Sequence, residues 1–251
     1  MALAAESDEL FPPPTGPLAE ARVLMARALE PTADAGKMRS ACERIAALTG
    51  VESPVGSLLQ AAIADGEASP DALRTALAKA QEMLAFEPLH EAALPEGFPT
   101  YTAAGAIEVK QYPARRLAKA DGFWTLFRHI TSNDIAMTTP VQMDYAADDQ
   151  GRVRQRSMAF YYGSGSLGEA GRQGAVEVVD DQPQWVVSLG VRGWSTRESI
   201  ADAKARLEAW LERHPEYEVD GDLRVMGYNS PMVRGGRQFH EVQLPVRKSG
   251  A

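Results

Sequence analysis

"NDIAMTTPVQMDY", residues 133–145, reads as a β-strand with an interruption built into it. Met137, Thr139, Val141, Met143 and Tyr145 fall on one face, and Ala136, Thr138, Gln142 and Asp144 on the other. That is the period-two alternation of a half-buried strand. Pro140 stands in its middle, where it removes a ladder hydrogen bond and pushes the segment towards an edge or a bulge. Two thioethers occupy inward positions where Val or Ile is usual, which gives that face an adaptable surface.

The neighbouring segments set this strand in an order. "GAIEVKQYPARRLAKA" (105–120) predicts a strand pair or one bent strand with Ile107 and Val109 inward. "DGFWTLFRHI" (121–130) predicts a short helix capped by Asp121, and "RSMAFYY" (156–162) a strand that alternates Met158, Phe160 and Tyr162 with its polar face. The order strand, helix, strand, strand then recurs. "QWVVSLGVRG" (184–193) puts Trp185, Val187, Leu189 and Val191 on one face, and a helix follows over "STRESIADAKARLEAWLERH" (195–214). That helix has a Ser195–Glu198 capping box and a stripe of Ile200, Ala203, Leu207, Trp210 and Leu211. "DLRVMGYNSP" (222–231) and "RQFHEVQLPV" (237–246) supply two more strands. "TTPVQM" and "NSPMV" even share a hydroxyl residue before Pro in the corresponding third elements. The expected fold is α+β: a duplicated β-α-β-β unit forming a distorted barrel flanked by two helices.

Upstream the character is different. Residues 1–16, ending in "FPPPTG", read as a flexible arm. Residues 17–86 carry four Ala-rich amphipathic patterns, two of them opened by Ser-Pro pairs at Ser53 and Ser69, and predict a small helical bundle. Residues 87–100, "EPLHEAALPEGFPT", hold three prolines and no periodicity and read as a linker that Leu89, Leu94 and Phe98 can anchor to a surface. Residues 101–247 make the β-rich unit. The net charge of −8 resides in the first 99 residues, with 7 Lys+Arg against 15 Asp+Glu, while the rest is balanced. This distribution argues against a nucleic-acid footprint and offers the acidic bundle as a surface for a protein partner. The single cysteine, Cys42, excludes an intramolecular disulfide and a cysteine metal cluster. No uninterrupted apolar run approaches about 18 residues, so no membrane span is expected, and without a secretory signal pattern the expected location is cytoplasmic.

Catalytic motifs are lacking. "GSGSLG" (163–168) matches a dinucleotide pattern but is followed by more glycine and a strand, not by the helix such a site requires. His90, His129, His214 and His240 form no ligand pair, there is no G-x-S-x-G elbow, and Cys42 has no neighbouring histidine. Asp148-Asp149 reads as a solvated turn, and His240 as structural or exposed. The short helix carries more than its core needs. Beyond Phe123, Phe127 and Ile130, it pairs Trp124 with Arg128 one turn apart, beside His129. Two readings stand for that face: half of a site for a flat, apolar, carboxylate-bearing ligand, or packing of Trp124 under the N-terminal bundle.

Together "IEVKQYPA", "GFWTLFRHI", "IAMTTPVQM", "MAFYY" and "FHEVQLPV" resemble the SOUL/heme-binding protein family from about Tyr101 to Val246. The resemblance implies the duplicated, helix-flanked barrel and the binding of heme or another tetrapyrrole against the first helix of that unit. By position it implies Trp124, Phe127, Arg128, His129 and Met137 as ligand-binding residues, with Arg128 meeting a propionate and His129 as the candidate to touch iron. A cytoplasmic carrier or buffer of heme is the expected function. The rival is a module that binds a different small effector, or a protein, without heme. An enzyme on a tetrapyrrole or small ester is a third reading, for which the sequence shows no nucleophile, base or metal set.

Overall fold

The computed structural model describes residues 16–64, 66, 68–147 and 153–250. The expected N-terminal arm, apart from Gly16, and the Asp148-Asp149 turn lie outside the described residues. Four helices come first: α1 (Pro17–Ala28), α2 (Ala35–Thr49), α3 (Pro54–Ala64) and α4 (Pro70–Leu84). Their apolar stripes meet in one cluster that includes Met25, Met38, Ile45, Leu59, Leu73 and Leu77. The Ser-Pro openings act as predicted. Ser53 Oγ accepts from the Gly56 N–H at 2.9 Å and Ser69 Oγ from the Ala72 N–H at 3.2 Å, and Asp34 caps α2 through the Lys37 N–H at 2.8 Å.

The remainder contributes strands β1 (Ile107–Tyr112), β2 (Arg115–Ala120), β3 (Val141–Ala147), β4 (Val153–Tyr161), β5 (Gly171–Gln173), β6 (Val176–Asp181), β7 (Gln184–Arg192), β8 (Tyr217–Val219), β9 (Leu223–Gly227) and β10 (Phe239–Lys248). Helix α5 (Phe123–Ser132) follows β2, and α6 (Arg197–Glu212) follows β7. One antiparallel sheet runs β1-β7-β10-β9-β3-β4-β2-β6-β5, with β8 attached to β10. Among the described residues no pairing joins its two ends.

Several sequence expectations need correction. The segment forms two strands and not one bent strand, but they do not pair with each other: β1 pairs with β7, and β2 with β4 and β6. Pro113, which has no N–H, falls between them and breaks the ladder. The strand expected from Met137 starts only at Val141, because Pro140 has no N–H to give to a ladder and ends the loop that follows α5. Asp121 does not cap α5, whose N-cap is Gly122 with no side-chain bond. The cap of α6 is Thr196, one residue later than expected, with Oγ1 accepting from the Ser199 N–H at 3.2 Å.

The sheet buries both faces. On the helix face, Val187, Leu189, Val225, Val242 and Leu244 pack under Ile200, Leu207 and Trp210 of α6. On the same face, Ala118, Phe160 and Val178 pack under Leu126 and Ile130 of α5. The opposite face holds Tyr112, Tyr161, Tyr228 and Phe239, and the linker crosses it. Phe98 of the linker stands edge-on to Tyr112 at 5.0 Å and to Tyr161 at 4.8 Å. This face also buries charge, since Lys110 and Glu241 form an ion pair with side chains 2% and 0% exposed.

The bundle docks beside α6. Arg206 of that helix donates to the Glu52 carbonyl at 2.9 Å and to Ser57 Oγ at 3.1 Å, and the Val55 N–H donates to the Gly105 carbonyl at 3.0 Å. Trp124 is 70% exposed, so the reading that packed it under the bundle is overturned: the bundle's bonds run to α6 and to Gly105 instead.

Candidate functional site

Strands β3 and β9 pair at the middle of the sheet, with Met143 opposite Val225 and Val141 opposite Gly227. Helix α5 covers the strands on one side of this seam and α6 those on the other. Above the seam the valley between the helices deepens to a cavity of about 420 Å³, lined by Phe123, Met137, Met143, Met158, Trp194 and His240 among others. Linker residues Glu91 and Ala92 contribute to its wall, and no residue of α1–α4 does.

The floor follows from register. His240 on β10 is opposite Gly227 on β9, which is opposite Val141 on β3. Directly opposed residues share a face, so the missing side chain of Gly227 leaves a notch between His240 and Val141. Met143 and Met158 are partners across β3 and β4 and form the adjoining wall. A Cβ added at Gly227 would lie 3.3 Å from the Met143 methyl, so even alanine would press on this wall. Asn229, Ser230, Pro231 and Gln238, with Trp194, close the far side. There Gly235 packs so tightly on the indole that a Cβ would fall 2.4 Å from its Nε1.

His240 is 2% exposed, and its Nδ1 lies 3.1 Å from the Gly193 carbonyl. The ring therefore presents a neutral Nε2 lone pair, which has no hydrogen-bond partner among the described residues. Burial pushes the imidazole pKa down to about 4. The sequence places His240 on a strand but gives no sign of this setting. Gly227 reaches it from β9 and Gly193 from just past the end of β7, and only the methionines announce an unusual face.

Of the five residues singled out in the sequence, four fall into two groups and His129 stands apart from both. Met137 lines the cavity. Trp124, Phe127 and Arg128 lie on the solvent side of α5, with Phe127 38% exposed. Phe123 connects the two groups: it stacks on Phe127 at 5.8 Å, meets Trp124 edge-on at 5.4 Å and lines the cavity. An aromatic ladder thus leads from the surface inward. His129 is held elsewhere, its Nε2 2.7 Å from the Tyr162 hydroxyl and its Nδ1 3.5 Å from Asn133 Nδ2. Partial burial lowers its pKa.

Two other hollows frame the choice. A groove of about 920 Å³ between α6 and the end of the β3–β4 hairpin meets the cavity at Ser195 and carries Arg197 and Lys204. On the opposite face a hollow of about 660 Å³ around Asp144, Arg156, Asp222 and Arg224 is lined mainly by charged and polar groups and suits no apolar ring. The seam cavity, by contrast, has apolar and thioether walls, aromatic planes, and a histidine nitrogen with no hydrogen-bond partner among the described residues.

The model of the SOUL heme-binding protein family matches residues 98–245. The chain belongs to the SOUL heme-binding protein family. The match spans the linker end, the sheet as far as Pro245 in β10 and both of its covering helices, and leaves α1–α4 outside. No curated protein matches this SOUL chain. Among solved structures, EcmrR bound to DNA is 14% identical with a TM-score of 0.43, covering 57% of this chain and 57% of that one. The isolated EcmrR C-terminal domain is 14% identical with a TM-score of 0.42, covering 57% of this chain and 97% of the domain. A conserved Listeria innocua protein is 12% identical with a TM-score of 0.44, covering 56% and 92%. These likenesses are distant, and the family assignment stands on the SOUL match alone. No helix among the described residues is long and apolar enough to cross a membrane.

Proposed function

We propose that this SOUL protein binds heme or a related tetrapyrrole in the seam cavity and serves as a cytoplasmic carrier or buffer for it. The observation that carries the reading is the cavity itself: about 420 Å³, within the size range of small-molecule sites, walled by Phe123, Met137, Met143, Met158 and Trp194. Burial of the macrocycle supplies the affinity, and the aromatic planes orient it. Cations that could meet the acidic edge of the ligand are Arg197, in the groove that adjoins at Ser195, and the exposed Arg128, Arg234 and Arg237. Bound heme would supply a redox-active iron and a visible chromophore. The bundle leaves the cavity uncovered, which supports a site open to exchange.

The proposed architecture is a duplication. β2-α5-β3-β4 and β7-α6-β9-β10 repeat one pattern, in which the last strand of each unit pairs with the other two. The β3–β9 pair joins the units and generates the seam, as in a distorted, helix-flanked barrel. Residues 17–86 would then be a separate bundle, 87–100 a linker laid on the sheet, and 101–247 the binding domain.

Hemin titration followed at the Soret band tests this reading, with Met158→Trp to fill the cavity and Trp124→Ala to strip the outer face of α5. Saturable one-to-one binding, abolished by Met158→Trp and only weakened by Trp124→Ala, is expected. The reverse order would move the ligand to the outer face of α5, where Trp124, Phe127 and Arg128 meet it and His129 is the nearest imidazole. No saturable change in the wild type sinks the heme reading.

A further inference from the structure

We infer that His240 Nε2 is the protein ligand to the metal of a metallated tetrapyrrole held in the seam cavity. The inference rests on the cavity reading above and adds what that reading lacks, the atom that meets the metal. Of the four histidines, His240 is the one that lines the cavity. Its Nδ1 is occupied by the Gly193 carbonyl at 3.1 Å, an arrangement that fixes the tautomer and ring orientation as in buried metal-binding imidazoles. Its Nε2 is screened from solvent and has no hydrogen-bond partner among the described residues.

A buried polar atom left without a partner costs free energy, and a fold that keeps one beside a ligand-sized cavity has a use for it. The neighbours point the same way. Gly227, the cross-strand partner of His240, removes the one side chain that would fill the space between that imidazole and Val141. Met143 and Met158 line the same cavity with flexible, polarisable side chains that can adapt to a flat ring. His129 is already committed to the Tyr162 hydroxyl at 2.7 Å and is not part of the cavity wall. Because Nε2 is screened, a ring can reach it only if the wall beside it gives way. The half-exposed Trp194 and the segment behind it are the side facing solvent.

The test compares three porphyrins on the full chain: hemin, zinc protoporphyrin and metal-free protoporphyrin. The proteins are wild type, His240→Ala and His240→Gln, the last because glutamine retains polarity and volume should alanine fail to fold. Metal-free protoporphyrin, read by fluorescence, should bind all three proteins within about twofold. Hemin and zinc protoporphyrin should bind the variants about tenfold or more weaker, the scale of a lost metal contact. Their Soret bands should shift away from the wild-type position and return when free imidazole is added to His240→Ala. Variants that bind both metalloporphyrins with wild-type affinity and spectra would overturn the assignment and leave the cavity reading standing. Failure of metal-free protoporphyrin to bind the wild type, or binding that Met158→Trp does not disturb, would remove the cavity reading and this inference with it.

Discussion

At His240 the sign of the pH dependence can be worked out. Its folded pKa lies near 4, against 6.5 for a free imidazole, because burial penalises the charged form while the Gly193 carbonyl and the Glu241 carboxylate oppose the shift only in part. Below pH 6.5 the unfolded chain takes up a proton that the folded chain refuses. Stability is therefore full above that pH and falls as pH drops towards 4, by about 3 kcal/mol at most. Partial burial of His129 acts in the same direction. Urea midpoints measured from pH 7 to 4 should decline, and His240→Gln should flatten the decline. An equal slope in the variant would mean that the titration belongs to other groups. The opposite face of the sheet poses a harder case. Glu241 accepts from Lys110, from Gln243 at 2.6 Å and from Tyr228 at 3.2 Å, in a site closed to water. Lys110→Met leaves that carboxylate buried without its cation and should cost about 3–5 kcal/mol, while Lys110→Met with Glu241→Gln should recover more than half. A double variant no more stable than the single would show that Glu241 depends on its neutral donors and not on the lysine. None of this was legible from sequence, where Lys110 and Glu241 are unremarkable residues 131 positions apart.

Among the elements, legibility followed the range of the forces involved. Helix stripes and Ser-Pro starts depend on residues three or four apart, and α1 to α4 form where the pattern places them. Strand alternation was equally local: Val141, Met143 and Tyr145 share a face as read, and so do Met158 and Phe160. Pairing was not local. β1 reads as the neighbour of β2 but joins β7, through Ile107 opposite Leu189, because register is decided by burial across the whole sheet. The cap of α6 falls one residue beyond the expected Ser195 because Ser195 and Thr196 are both competent, and Thr196 is the one whose hydroxyl meets the Ser199 N–H. Thr196→Ala should therefore cost about 1 kcal/mol and Ser195→Ala much less, measurable by chemical denaturation; equal costs would argue for a shared cap. The site was half legible for the same reason. Met137 and the aromatic helix could be found from their own neighbourhoods, whereas the notch at Gly227 exists only once three strands are aligned.

Over the whole molecule, the bundle and the sheet meet through backbone as well as side chains. Gly105 donates to the Gly190 carbonyl at 2.8 Å and accepts from the Val55 N–H at 3.0 Å, so one residue is bonded to the sheet and to α3. Its φ of +81° is in the left-handed region, and a Cβ there would fall 2.7 Å from Met83 Cε and 3.0 Å from Val55 Cγ2. Gly105→Val combines backbone strain with overpacking at the contact and should cost about 2–4 kcal/mol. The cavity lies across the helix face from this contact and draws no lining residue from α1–α4. Protein that remains folded should therefore bind porphyrin as the wild type does, even as its thermal midpoint falls. Parallel loss of porphyrin affinity at a temperature where circular dichroism reports native structure would mean that bundle docking sets the shape of the seam. In that case the acidic helices would control the ligand site through α6, whose start borders Trp194 and whose length carries Arg206 to the bundle.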